Sequence, residues 1–128
     1  MDCPRILIVE DQKIAQKIAM ITMMELHCIT DTADTGAQAL KLFNIHSYDL
    51  IIMDLGLPDM DGLTVTEMIR KMENATTHTP IVALTANADE SYKRLALEVG
   101  MDEFILKPLT EEIGIHLLET YVKRQSLR

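Results

Sequence analysis

The sequence predicts an α/β protein, a three-layer α/β/α sandwich around a single parallel sheet, and two observations carry that expectation. Short aliphatic and β-branched runs recur along the chain: "RILIV" at 5–9, "CIT" at 28–30, "LIIM" at 50–53, "IVAL" at 81–84 and "FIL" at 104–106. Runs this short, without polar alternation, read as strands buried on both faces. Between them, apolar residues return every three or four positions, the period of a helix that buries one stripe. A (βα) unit repeated five times follows, with right-handed crossovers and parallel pairing. With 128 residues, 48 % hydrophobic and 25 % charged, the chain has the size and apolar content of one soluble domain, and residues 1–128 are read as a single unit.

Each element has its own punctuation. The first strand runs into Glu10 and Asp11, and Asp11 stands where a cap would accept backbone N–H bonds before the stripe Ile14, Ile18, Ile21. The second strand is the weakest run; Gly36 then precedes Ala37, Leu40 and Phe43. The third strand ends on Asp54, and Gly62 precedes the stripe Val65, Met68, Ile69, Met72. Pro80 leads into the fourth strand, where its missing N–H does least harm, and Thr85 follows the run. Asp89 is placed to cap the fourth helix, whose stripe is Leu95 and Val99, and Gly100 falls where a left-handed residue would end it. The fifth strand gives way to Lys107 and Pro108, and Thr110, with Glu112 nearby, opens a last helix bearing Ile113, Leu117 and Tyr121.

Composition narrows the function. Twenty acidic against twelve basic residues, a net charge of −8, disfavour direct nucleic-acid binding, which runs on clustered Lys and Arg. Cys3 and Cys28 lack CxxC spacing, and the N-terminus lacks the basic start and apolar run of a signal peptide, so a reducing, cytoplasmic setting is expected. No apolar stretch approaches the roughly 18 residues of a membrane span.

In open parallel sheets, ligands bind outside the carboxyl ends of the strands. There this sequence places Glu10, Asp11, Asp54, Thr85 and Lys107. Taken singly, an Asp after a strand is most often a turn former or cap, a Thr a turn residue and a Lys a solvated charge. Gathered at one edge they mean more: three like charges require a bound cation, a lysine, or raised carboxyl pKa values. Magnesium suits the set, since it takes one or two carboxylates along with waters and a phosphate. Calcium does not, because the loop register that uses Asp59, Asp61 and Gly62 starts on Leu57 and ends on Met68; zinc does not, because His27, His46, His78 and His116 show no paired spacing. The first turn, "IVEDQK", has acids where a phosphate-cradling loop needs glycines. With a cation present, Asp54 can attack a phosphoryl group, Lys107 can offer it a point charge, and the Thr85 hydroxyl can donate to a phosphoryl oxygen.

The acidic pair in "ILIVED", Asp54 in "DLIIMDLGLPDMDG", Thr85 in "PIVALTA", and "GMDEFILKP" with Lys107 and Pro108 together resemble the receiver domain of two-component response regulators, over nearly the whole chain. The resemblance implies a flavodoxin-like sheet of order 2-1-3-4-5. It also implies phosphoryl acceptance at Asp54 from a phosphohistidine on a histidine kinase or histidine phosphotransfer protein. It assigns Mg²⁺ to Asp11, Asp54 and the backbone carbonyl of Gly56, with Glu10 acting through a metal-bound water. It pairs Thr85 with Phe104 in a switch that reshapes the face made by helix four, strand five and helix five. Taken alone, Phe104 reads as a plain core aromatic. It also places the surface that docks phosphotransfer helices near Met20, Met23 and Met24 of the first helix, although core packing accounts for at least two of these.

Two positions depart from common family choices. Gly56, two after the acceptor, has no side chain, and Asn87, two after Thr85, carries no charge; the expectation is that they set the lifetime of the phosphorylated state. The stretch "TANADESYKRLALEVGMDEFILKPLT" looks like the hybrid-kinase type, and the sequence is read as having no output domain. The last helix lacks an arginine-rich face, which points to a monomer or weak dimer. Two rivals stand beside this reading. A haloacid-dehalogenase-type phosphatase wants a second Asp where Gly56 stands; a phosphorylation-independent interaction module on the same fold would leave the acidic residues idle.

Overall fold

The structure is a computed structural model, and it describes residues 3–86 and 89–122. The elements alternate as expected: β1 (Arg5–Val9), α1 (Lys13–Glu25), β2 (Ile29–Ala33), α2 (Gly36–Ile45), β3 (Leu50–Met53), α3 (Gly62–Met72), β4 (Ile81–Thr85), α4 (Glu90–Glu98), β5 (Glu103–Leu106) and α5 (Glu111–Leu117). The last helix loosens into a π-type turn over Leu118–Val122. The strands form one parallel sheet in the order β2-β1-β3-β4-β5.

Alternate residues of the central strands feed two cores. On one side Leu7, Val9, Ile51, Met53, Ile81 and Ala83 pack with Ala39 of α2, Val65 and Ile69 of α3 and Ala96 of α4. On the other, Ile6, Ile8, Leu50, Ile52, Val82 and Leu84 pack with Ala19 and Met23 of α1 and Leu117 of α5. Every residue of β3 and β4 is buried. That is why these strands read as unbroken apolar runs.

Most of the punctuation holds. Asp89 accepts from the Ser91 amide at 2.9 Å and Thr110 Oγ1 from the Ile113 amide at 3.2 Å, each capping its helix. Gly100 takes φ +109°, the left-handed turn that ends α4. His27 is the one described non-glycine residue with positive φ, at 68°, in the turn that leaves α1.

Four expectations are corrected. β2 runs over 29–33 rather than 28–30; it is an edge strand whose Thr30, Asp31 and Thr32 are only half-buried. Ile14, Ile18 and Ile21 are 78, 42 and 48 % exposed, so the isoleucine stripe of α1 faces away from the sheet, and a second stripe, Ala19 and Met23 flanked by Met20 and Leu26, makes the core contact. At α4 the expected Val99 packs on the core together with Ala96 and Tyr92, while Leu95 is exposed. Asp11 is not the cap of α1: the capping position is Gln12, without a side-chain bond, and the Gln12 amide instead reaches Glu10 Oε2 at 3.0 Å.

Candidate functional site

The parallel ladder continues one residue beyond three strands, and that extension holds the site. The Glu10 amide donates to Ala33 O at 3.0 Å, the Asp54 amide to Val9 O at 2.8 Å and the Lys107 amide to Thr85 O at 2.7 Å. Each backbone group is therefore paired while its side chain projects past the sheet edge. Glu10, Asp54 and Thr85 are buried, at 2, 7 and 5 % exposure. One carboxylate oxygen from each of Glu10, Asp11 and Asp54 lies within 4.8 Å of the others.

Lys107 answers part of this charge. Its Nζ lies 2.6 Å from Glu10 Oε1 and 3.5 Å from Asp54 Oδ1. Glu10 Oε1 is paired with the ammonium, whereas buried Asp11 Oδ1 finds no hydrogen-bond partner among the described residues. One ammonium thus pairs with two carboxylates of a cluster of three. Burial pushes the Asp54 carboxyl up to about 6, the Glu10 charge adds to the shift, and Lys107 and the Gly56 amide oppose it. Burial draws Lys107 down, but its pairing with Glu10 and Asp54 outweighs that and leaves its pKa raised.

These observations fit a hard cation. Three oxygen ligands converge, the buried Asp11 Oδ1 lacks a hydrogen-bond donor among the described residues, and a group normally ionised at neutral pH has its charge disfavoured until positive charge arrives. Gly56 follows at the exposed rim, in a bridge with Asp61, and a Cβ built at 56 meets nothing within 4 Å.

The remaining residues fall around this cluster. Thr85 pairs with Leu106 and Ala83 with Phe104, so Thr85 and Phe104 share one face of neighbouring strands as diagonal neighbours. The Phe104 ring is half-buried and packs against the core under α2, α3 and α4. Asn87 lies outside the described residues. Of the α1 methionines, Met23 is buried and Met20 packs on the core, whereas Met24 is 54 % exposed. A cleft of about 290 Å³ opens beside Lys107, walled by Ile14, Ile18, Leu84, Pro108 and Leu109. Sequence reasoning missed Gln16, whose Nε2 donates to Glu10 O at 2.8 Å and to Asp34 Oδ1 at 2.7 Å, tying the acidic turn to α1 and to the end of β2. A polar residue on the inner side of a helix, one turn after an acidic pair, was the available signal.

Fold and site together define a doubly wound α/β protein with a cation-accepting carboxylate cluster at its sheet edge. The model of the response regulator receiver domain matches residues 6–119, and the chain belongs to that family, the receiver domains of two-component signalling systems. It is 40 % identical over 121 residues to hybrid signal transduction histidine kinase M of Dictyostelium discoideum, covering 91 % of this chain but 5 % of that protein. It is 36 % identical over 110 residues to the sensor histidine kinase GacS of Pseudomonas protegens, covering 84 % of this chain and 12 % of the relative. The chain therefore spans a small part of these curated relatives. Among solved structures, it is similar to the receiver domain of sensor histidine kinase PA1611 from Pseudomonas aeruginosa, with magnesium coordinated in its active-site cleft: 31 % identity, TM-score 0.86, covering 95 % of this chain and 99 % of that one. The receiver domain of Francisella response regulator 1452 is likewise 31 % identical with TM-score 0.82, covering 95 and 98 %. Among the described residues no helix is long and apolar enough to cross a membrane.

Proposed function

We propose that the chain acts as one receiver unit that accepts a phosphoryl group on Asp54 from a phosphohistidine of a histidine kinase or phosphotransfer protein. The observation that carries this reading is the convergence of Glu10, Asp11 and Asp54 within 4.8 Å, with Lys107 the ammonium that faces them. An Asp54 carboxylate oxygen attacks phosphorus; the P–O bond forms as the P–N bond breaks, and that electron pair stays on the imidazole. Asp11, Asp54 and the Gly56 carbonyl would hold Mg²⁺, with Glu10 acting through a metal-bound water, and the ion would supply the positive charge that lets the two anions approach. Lys107, positioned between Glu10 and Asp54, turns to a phosphoryl oxygen, and the Thr85 hydroxyl donates to another. Thr85 then moves inward and Phe104 follows it, changing the face made by α4, β5 and α5.

The docking surface is the exposed isoleucine stripe of α1. Ile14, Ile18 and Ile21 are spaced by four and three residues, the seam of helix-on-helix packing, and Ile14 and Ile18 also wall the cleft beside Lys107. A helix of a phosphotransfer bundle laid along this seam brings its histidine to Asp54. The free cysteines, Cys3 and Cys28, suit a cytoplasmic setting. The resemblance to hybrid kinases makes a relay step within a longer signalling protein part of the same reading.

Intact mass after incubation with acetyl phosphate tests it. One added phosphoryl group is expected on the wild type with Mg²⁺, and none without Mg²⁺ or on Asp54→Asn. Turnover of a generic phosphate ester would instead favour a phosphatase, and neither outcome would leave an interaction module. Gly56→Asn should fold normally, since a side chain there meets open space, and should change the dephosphorylation rate several-fold; an unchanged rate would remove Gly56 from the control of lifetime.

A further inference from the structure

We propose that Asp59 is a positioning residue for the cation site: by clasping the first turn of α2 it fixes the loop between β3 and α3, and with it the Gly56 carbonyl. The inference rests on the proposed metal ligands, of which Gly56 is the one without a side chain to anchor it. Asp59 Oδ1 accepts from the Gly36 amide at 2.8 Å and Oδ2 from the Ala37 amide at 3.0 Å. Both carboxylate oxygens of an exposed loop residue are thus spent on backbone 22 and 23 positions away in the chain. The two amides hold the Asp59 carboxyl below its usual range.

The neighbouring residue completes the clasp. A Cβ built on Gly36 would lie 2.5 Å from Met60 Cγ and 2.8 Å from Val65 Cγ2, so Met60 fills the space that any side chain at 36 would need. The loop is therefore held against α2 by a carboxylate and a packed thioether side by side, and the Gly56↔Asp61 bridge closes its two ends. The competing account is that Asp59 serves only as a cap for α2. That helix, however, has its own cap, Thr35 Oγ1, which accepts from the Gln38 amide at 3.1 Å. The two residues steady the same helix end, and Asp59 alone also restrains the metal loop.

That difference sets the experiment: Mg²⁺ titration of ¹⁵N-labelled wild type, Asp59→Ala, Asp59→Asn and Thr35→Ala, followed at the Gly56 and Asp11 amides, beside thermal melting of each. Asp59→Ala should weaken Mg²⁺ binding about tenfold, the usual effect of removing a group that orients a metal ligand. Asp59→Asn, which keeps one acceptor oxygen, should fall between it and the wild type. Thr35→Ala should lower the melting temperature and leave Mg²⁺ affinity within about twofold of wild type. Equal Mg²⁺ affinity in Asp59→Ala and wild type, or an equal loss in Thr35→Ala, would overturn the clasp and leave the site itself intact. Wild type that binds no Mg²⁺ would overturn both.

Discussion

The two ends of the sheet treat charge in opposite ways. At the amino edge of β4 and β5, Arg70 donates to Glu73 Oε1 at 2.8 Å, Thr79 O at 2.9 Å, Gly100 O at 2.7 Å and Asp102 Oδ2 at 3.2 Å. Its partners are complete in turn: Glu73 Oε2 takes the Thr79 amide at 2.6 Å, and Asp102 Oδ2 takes the Ile81 amide at 2.9 Å. Beside β1 and β2, Asp31 Oδ2 accepts from both Arg5 Nε and Tyr48 Oη. At the carboxyl edge one lysine pairs with Glu10 and Asp54 in a cluster of three acids, and Asp11 Oδ1 has no hydrogen-bond donor among the described residues. The same side-chain chemistry thus serves two ends: closed networks hold elements together, and an open one is completed by something that arrives from outside.

The contrast can be broken most forcefully at the closed end. Arg70→Ala leaves Glu73, whose side chain is 5 % exposed, buried without its cation, and should cost about 3 kcal/mol in urea unfolding. Phosphoryl uptake per folded molecule should not change; a loss below about 1 kcal/mol would show that the network is ornamental. At the open end the sign reverses. The folded carboxyl of Asp54 sits at about 6, above its ordinary 3.8, so the native state binds this proton more tightly than the unfolded chain does. Ionisation therefore penalises the fold increasingly between those values, and the penalty is full above pH 6. In Mg²⁺-free buffer Asp54→Asn should gain about 1 to 2 kcal/mol at pH 8 and almost nothing near pH 4. A gain independent of pH would remove charge repulsion as its cause. The smallest effect belongs to neither edge: His27→Gly relieves a side chain held at φ 68° and should add about 0.5 kcal/mol, read from the urea midpoint, with Mg²⁺ affinity unmoved. Destabilisation there would mean that the imidazole makes contacts that outweigh the strain.

How much of this was legible in the sequence depended on whether the signal was local. β1, β3 and β4 showed because burial on both faces leaves an unbroken apolar run, and the residues that end those runs are the site. β2 was misplaced because an edge strand reading "ITDTA" has polar residues where a central strand would not. On α1 two stripes share the helical period, and spacing alone cannot say which one meets the sheet. The isoleucines are the more hydrophobic set, yet the smaller Ala19 lies against the strands and the isoleucines stay outside. Asp11 was misread as a cap because a carboxylate before a helix looks the same whether it serves an amide or awaits a cation. The Asp59 clasp left no local trace at all, since its acceptors meet backbone amides that carry no side-chain identity.

The outward isoleucines of α1 also have a colloidal consequence. An apolar seam on a free surface invites self-association, and here a net charge of −8 keeps copies apart. That repulsion reaches only about 10 Å at 0.1 M salt and about 3 Å at 1 M. Concentrated salt should therefore draw the isolated protein into dimers along α1, and dilution into low-salt buffer should release them.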